Sequence, residues 1–373
     1  MKKIFLLLLI LPVLSFADSM YSPTWGFHID LPEGYEYVTG DARDRFSFEG
    51  PQGLMFDLLV YQSGRFGSVL ELTNDVNRRL SNRGDVDLFR YRDKQAAVIK
   101  LTFGEFDGWA LAIELASDSA QRPILLALAY APANQRNFEL FHISALDSIR
   151  PTTMDLRYPG PLIEYSYPRG DARNTPLALR GLNAMIYQND AEASQVLVER
   201  EFNILTNYLN TPLLQDACIR YYRFIFRDSY DRIAGAASVI ANHLGASQAV
   251  TDAQKNAFAQ RVLTFVQGFN YERDLSGSDF VNLVSAITEG RGDCDSRAML
   301  FAVILSNADI RGAIMLSHHF SHAMGLADVP GEGARFDALG TQWLVAETTA
   351  NINIGLIDQT QADPQKWFAV VFE

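Results

Sequence analysis

The chain has 373 residues, 48% of them apolar, and its 32 basic and 44 acidic residues give a formal charge of −12. That length admits two domains, and that apolar content argues against disorder. An acidic chain with no basic run is a poor binder of nucleic acid or of an anionic membrane surface.

The first residues read as a leader rather than as fold. Lys2 and Lys3 precede an apolar run from Ile4 to Leu14, and Ser15-Phe16-Ala17 is a small-x-small cleavage site. Residues 1–17 are therefore read as a cleavable signal peptide. The run is short for a membrane span, and no cysteine stands at the cleavage site for lipid attachment. The expectation is a periplasmic or secreted protein with no stable membrane anchor.

Residues 18–152 read as a strand-rich α/β domain. Strands are predicted over Thr24 to Leu31, Arg45 to Glu49, Leu54 to Tyr61, Leu88 to Arg92, Gln95 to Glu105, Trp109 to Leu115 and Pro123 to Tyr130. Apolar residues at helical spacing predict helices over Ser68 to Asn82 and Asn137 to Ser148. His28 and His142 are lone histidines, read as surface or core residues. Glu105, Asp107 and Asp118 are read as turn or solvent-face carboxylates. The pattern of this stretch, ending Ala145-Leu146-Asp147-Ser148-Ile149, resembles the PsbP/Mog1-like α/β fold. Such a module would recruit an envelope protein partner or the substrate.

Residues 153–175 carry Pro159, Pro161 and Pro168 with Gly160 and Gly170, and read as a linker with one strand at Leu162 to Tyr165. Beyond it the pattern turns helical, over Pro176 to Asn189, Ala191 to Leu209, Pro212 to Leu244 and Thr251 to Phe269, several of them begun by Ser, Thr or Pro. Asp279 to Thr288 is a further short helix. No fixed-period repeat argues for a solenoid. The predicted fold class is α+β: an antiparallel-sheet domain over 18–152, then a helix-rich domain over 176–373.

The chemistry concentrates in three stretches of that second domain. In Gly290-Arg291-Gly292-Asp293-Cys294 a glycine-flanked turn ends in a cysteine, and an apolar helical run follows as far as Ile310. Cys294 is then at a helix N-terminus, where backbone N–H groups and the helix dipole favour a thiolate. Ser321-His322-Ala323 opens a short apolar strand, and Gln342 to Thr349 is an apolar strand ending in Glu347. A sulfur nucleophile, a base for its proton and an acid to orient the base are the parts of nucleophilic acyl transfer.

Gly292-Asp293-Cys294, then His322-Ala323, then Trp343 to Thr349, resembles the core of the transglutaminase-like (papain-like) superfamily over roughly residues 255–350. The departure is Glu347 where that family has Asp, which keeps the charge and lengthens the arm. The resemblance implies an exported cysteine hydrolase or acyltransferase acting on a protein or peptide amide through Cys294, His322 and Glu347. A non-catalytic binding or scaffold protein on the same fold is the alternative.

Other readings stay open. Cys218 and Cys294 are the two cysteines of the chain; export allows a disulfide between them, whereas the motif favours a free Cys294 and a buried Cys218. If Met315 to Ala327 is one strand, His318 and His322 share a face, and with Cys294 they could hold zinc, although no ligand-pair motif supports it. The Cys294 backbone N–H is half of an oxyanion hole, with Asn270 or Tyr271 as candidates for the other half. Asp295 is expected to cap the cysteine helix, Asp293 to bond within the turn, and Trp343 to anchor the core. Thr348 and Thr349 are expected to hydrogen-bond near the site. Arg-Gly-Asp tripeptides begin at Arg83, Arg169 and Arg291, too short a motif to carry weight. No nucleotide or flavin fingerprint is present, so no cofactor is implied.

Overall fold

The computed structural model describes residues 19–117, 122–134, 138–273 and 277–372. Residues 1–17, read above as a leader, and Asp118 lie outside the described residues. The strands are β1 (Met20–Tyr21), β2 (His28–Ile29), β3 (Glu36–Gly40), β4 (Arg45–Glu49), β5 (Met55–Tyr61), β6 (Val86–Tyr91), β7 (Lys94–Phe103), β8 (Phe106–Glu114), β9 (Ile124–Pro132), β10 (Ala172–Pro176), β11 (Asn183–Tyr187), β12 (Asn270–Tyr271), β13 (Arg291–Gly292), β14 (Gly312–Ser317), β15 (His322–Ala327), β16 (Arg335–Ala338), β17 (Thr341–Ala346) and β18 (Phe368–Val371). The helices are α1 (Val69–Leu80), α2 (Glu139–Asp147), α3 (Pro161–Ser166), α4 (Asp190–Leu205), α5 (Leu214–His243), α6 (Asp252–Gln267), α7 (Leu283–Glu289) and α8 (Cys294–Ser306). The fold is α+β, built on two antiparallel sheets.

The N-terminal sheet has seven strands in the order β3-β4-β5-β9-β8-β7-β6. Its central strand β9 sends Leu125, Ala127 and Ala129 to one face and Ile124, Leu126 and Leu128 to the other, the period of two that a strand imposes. One face packs on α2 through Phe141, Ala145 and Leu146; the other packs on α1 through Val69, Leu72 and Val76. Ser68 caps α1 by accepting the Glu71 N–H. Of the predicted Thr24 to Leu31 strand only His28–Ile29 is extended, because the Gly26 N–H bonds back to Ser22 O at 2.7 Å and turns the chain.

The predicted linker is packed structure. Leu162 to Tyr165 is helical, not a strand: Pro161 opens α3, and the buried Asp147 carboxylate accepts the Leu162 and Ile163 N–H groups at 2.8 and 3.0 Å. Pro176 to Asn189 is not a helix but the second half of the β10–β11 hairpin, with Ala184 and Ile186 facing the core. Alternation at 184 and 186 and the turn at Gly181 (φ 85°) set the strand.

Helix α5 runs unbroken through Asp228, whose carboxylate accepts from Arg232 one turn on, while Arg232 also reaches Asp190 at 2.7 Å. One face of α5 meets the N-terminal half through buried charge. Arg223 and Arg227 grip the Asp30 carboxylate, Arg220 bonds the Asp30 carbonyl and Glu201, and Arg200 joins Glu201 to Asp147. The opposite side carries Cys218 and Tyr222 toward the C-terminal sheet.

That sheet has the order β16-β17-β15-β14-β18, all pairs antiparallel. Helix α8 lies on it, apolar on every side rather than on one face: Met299, Leu300, Phe301, Val303, Ile304 and Leu305 are all fully buried, each contributing about 1.5–3 kcal/mol of burial. Gly312 and Gly325 permit the close approach, since a Cβ would stand 2.6 Å from Ala302 Cα and 2.6 Å from the Phe301 ring respectively. Trp343 fills the far side of the sheet, fully buried, its Nε1 donating to Ala338 O. Among the described residues no helix is long and apolar enough to cross a membrane.

Candidate active site

Cys294 is the first residue of α8. The cap is Asp293, whose Oδ1 accepts the Ser296 N–H at 2.8 Å while Ser296 Oγ accepts the Asp293 N–H at 3.2 Å. Asp293, rather than the expected Asp295, is therefore the cap. Asp295, one residue inside the helix, is free to turn toward the sulfur: Cys294 Sγ donates to Asp295 Oδ1 at 3.2 Å, and Tyr222 of α5 donates to Oδ2. The turn before the cysteine is set by Gly290 (φ 70°) and by the parallel pairing of β12 with β13.

Arg297 locks this turn in place. Buried to 2% exposure, it donates to Gly292 O, Phe269 O and Thr348 O at 3.0, 2.8 and 3.4 Å. It thereby joins the cysteine turn, the end of α6 and the residue after Glu347. Sequence reasoning passed over it; the available signal was one arginine inside an apolar helical run.

His322 opens β15 and Glu347 follows β17. Ala346 lies opposite Gly325, which brings the end of β17 alongside the start of β15. The result is a hydrogen bond of 2.8 Å between His322 Nε2 and Glu347 Oε2. Thr349 donates to the other carboxylate oxygen from its N–H at 2.7 Å and its hydroxyl at 2.6 Å. Burial raises the Glu347 carboxyl, and the His322 and Thr349 bonds outweigh it and hold the group below its usual value. Glutamate in place of aspartate thus still reaches the imidazole. Thr348, expected to bond near the site, is buried and its hydroxyl has no partner among the described residues.

Cys294 and His322 face one cavity of 280 Å³, lined also by Tyr222, Tyr271, Arg273, Asp279, Asp295 and His318. Among the described residues the Cys294 side chain bonds to Asp295 and not to His322. Burial, and then the charges of Asp295 and Asp293, push the thiol well above its ordinary range; the Ala323 backbone amide opposes them. Burial first, and the two carboxylates after it, thus oppose the stabilised thiolate expected of a helix N-terminus. Asp293 and Asp295 are themselves raised, by burial and by mutual repulsion in the case of Asp293, and by burial in that of Asp295.

The remaining candidates separate. Both cysteines are free thiols, so no Cys218–Cys294 bridge is present. Met315 to Ala327 is not one strand: residues 318–321 turn between β14 and β15, with Ser321 at φ 48°, so His318 and His322 do not share a strand face. His318 Nε2 lies 3.9 Å from Cys218 Sγ, whose thiol burial pushes up to about 12. The ligand atoms of Asp293, Cys294 and Asp295 lie within 4.8 Å of one another, a grouping different from the His318–His322–Cys294 zinc set considered above. Of the two oxyanion candidates, Tyr271 lines the cavity and Asn270 does not. His142 is buried, and burial brings it down to about 4.

No family model matches the chain, and no curated protein matches it. Solved structures similar to it include one from Bacteroides thetaiotaomicron VPI-5482, at 10% identity and a TM-score of 0.25, covering 56% of this chain and 75% of that one. Another, from Cytophaga hutchinsonii and described as a "Putative Cysteine Protease", shows 10% identity and a TM-score of 0.20 over 92% of this chain and 79% of that one. At these values neither likeness bears on the chemistry.

Proposed function

We propose that this chain is an exported cysteine hydrolase or acyltransferase of the transglutaminase-like class, acting on amide or peptide bonds. The observation that carries the reading is the His322–Glu347 bond of 2.8 Å on the same cavity as Cys294. With Nε2 given to the carboxylate, Nδ1 is the nitrogen left to act as base. The Cys294 proton passes to Nδ1 and the sulfur adds to the substrate carbonyl. Collapse of the tetrahedral adduct breaks the C–N bond, and the imidazolium returns its proton to the leaving amine. Water or a second amine then opens the thioester; water is the favoured acceptor. The N-terminal half would present a protein or peptide substrate or dock an envelope partner.

The second reading, a non-catalytic binding protein, draws on the Cys294–Asp295 bond, which holds the sulfur as a thiol. A peptide library followed by mass spectrometry decides between the two. Cleavage or amine exchange by the wild type that Cys294→Ala and His322→Ala abolish supports the enzyme; product patterns identical in all three refute it.

A further inference from the structure

The described wall of the active-site cavity carries Asp279, Asp293 and Asp295 against one permanent cation, Arg273. That cation is already spent, because its guanidinium bonds Asp279. Asp293 is spent as well, on the cap of α8. Asp295 differs. Its partners are the Tyr222 hydroxyl and the thiol itself, both neutral donors, and it is half-buried beside the reacting sulfur. The rings of Tyr222, Tyr271, His318 and Phe368 complete the wall. A carboxylate whose hydrogen-bond donors are both neutral, with His322 as its basic neighbour across the cavity, set among aromatic faces, is the arrangement that receives an ammonium or guanidinium group.

The geometry points to Asp295 as the residue that selects the substrate. It would bind a positively charged nitrogen carried next to the scissile amide, as on a lysine or arginine side chain or a free amino terminus. This rests on the hydrolase reading above and names its substrate class. The same contact explains how a sulfur bonded to a carboxylate becomes a nucleophile. An arriving cation takes Oδ1 from the thiol and cancels the negative charge 3.2 Å from the sulfur. The thiol proton is then free to pass to His322 Nδ1, and the thiolate forms only when a cationic substrate is seated. Neutral or anionic amides leave the thiol on Asp295.

Three methanethiosulfonate reagents of one size class test this on the whole protein: aminoethyl (cationic), methyl (neutral) and sulfonatoethyl (anionic). Rates at Cys294, read by peptide mass mapping, are divided by rates with free 2-mercaptoethanol. The wild type is expected to favour the cationic over the anionic reagent about 100-fold, within the 10- to 1000-fold range that charged clefts give. Asp295→Asn should bring that ratio below about tenfold while raising the rate with the neutral reagent. Asp279→Asn should leave most of the preference in place. Tyr222→Phe, which keeps the charge and removes one bond to it, is the second variant should Asp295→Asn fail to fold; it should retain the preference. A ratio near one in the wild type, a preference unchanged in Asp295→Asn, or one abolished in Tyr222→Phe or Asp279→Asn overturns the assignment. The peptide library separates this from the parent reading. Cleavage that depends on Cys294 but is indifferent to nearby lysine, arginine or free amines overturns the cation preference alone, whereas a charge preference without any such cleavage overturns the hydrolase.

Discussion

Asp30→Asn should cost this protein a large share of its stability, and the structure says why. The carboxylate takes three charge-assisted hydrogen bonds, from Arg223 Nε and Nη2 at 2.7 and 2.8 Å and from Arg227 Nη1 at 2.6 Å. Breaking one partner of a buried pair costs about 3–5 kcal/mol, because the other charge stays behind. Asparagine keeps one acceptor, and the Arg223 side chain retains 15% exposure to water, so the lower end, about 3 kcal/mol, is expected. With a urea slope of about 3 kcal/mol per molar, the midpoint should fall by roughly 1 M. The pH dependence is a second check. Burial raises the Asp30 carboxyl, but the charges of Arg223, Arg227 and Arg220 more than offset it and hold the group far below its ordinary value. A depressed carboxylate stabilises the fold above its unfolded pKa of about 3.9, and that contribution is lost as pH falls toward the folded value. The gap between wild type and variant should be flat from pH 8 to 5 and close below about pH 4. A midpoint within roughly 0.3 M of wild type at neutral pH would refute the view that this network clamps the two halves.

Other outcomes follow from the same coordinates. In Glu347→Gln the amide oxygen should stay with the two Thr349 donors, turning the NH₂ toward His322 Nε2; the imidazole must then carry its proton on Nδ1, the wrong nitrogen for a base. On the hydrolase reading kcat should fall by about 10⁴-fold, the scale of the acid-to-amide change in a Ser-His-Asp triad, and two-dimensional ¹⁵N spectra should show the tautomer change; unchanged turnover would contradict it. Glu33, 5% exposed, is pushed up to about 7, chiefly by burial. A raised carboxyl gives stability that is complete below the unfolded pKa and is lost as pH rises through the folded one. The stability of the wild type relative to Glu33→Gln should therefore decline between about pH 4 and 7, by an amount on the order of 3 kcal/mol; a difference that does not change with pH would contradict it. Gly325→Ala drives a Cβ to 2.6 Å from the Phe301 ring and should lower stability by about 1–3 kcal/mol, as overpacking does; a neutral effect in thermal melts would contradict the close packing of α8 on β15.

Local signals were legible in the sequence. The apolar spacing from Val69 to Leu80 marked α1, and the glycine-bounded turn placed Cys294 at a helix start, where it stands. What escaped depends on distant partners. Leu162 to Tyr165 is helical because Asp147, on α2 and 15 residues before Leu162, accepts its first N–H groups. Asp30 meets Arg223 across a separation of 193 residues. Asp293 rather than Asp295 is the cap because α8 starts at Cys294 itself, and the partner of Asp295, Tyr222, stands 73 residues earlier in the chain. His318 left the His322 face because four residues between two apolar runs form a turn, which a period-two reading cannot register. His322 and Glu347 were nameable from their motifs, whereas the Thr349 bonds that seat the longer acid became visible only with β17 in place.

The sulfur sits at the tip of a shaft sunk in hydrocarbon. Shifting Cys294 by an ångström would drag the whole buried barrel of α8 past Gly312 and Gly325, where the clearance is already used up. On the hydrolase reading the nucleophile is the stationary group. The substrate must then come to the sulfur, and the nearby backbone on the surface side is the tight bend at 318–321 that precedes His322. A crosslink across that bend should then lower turnover while leaving the packing of α8 unchanged.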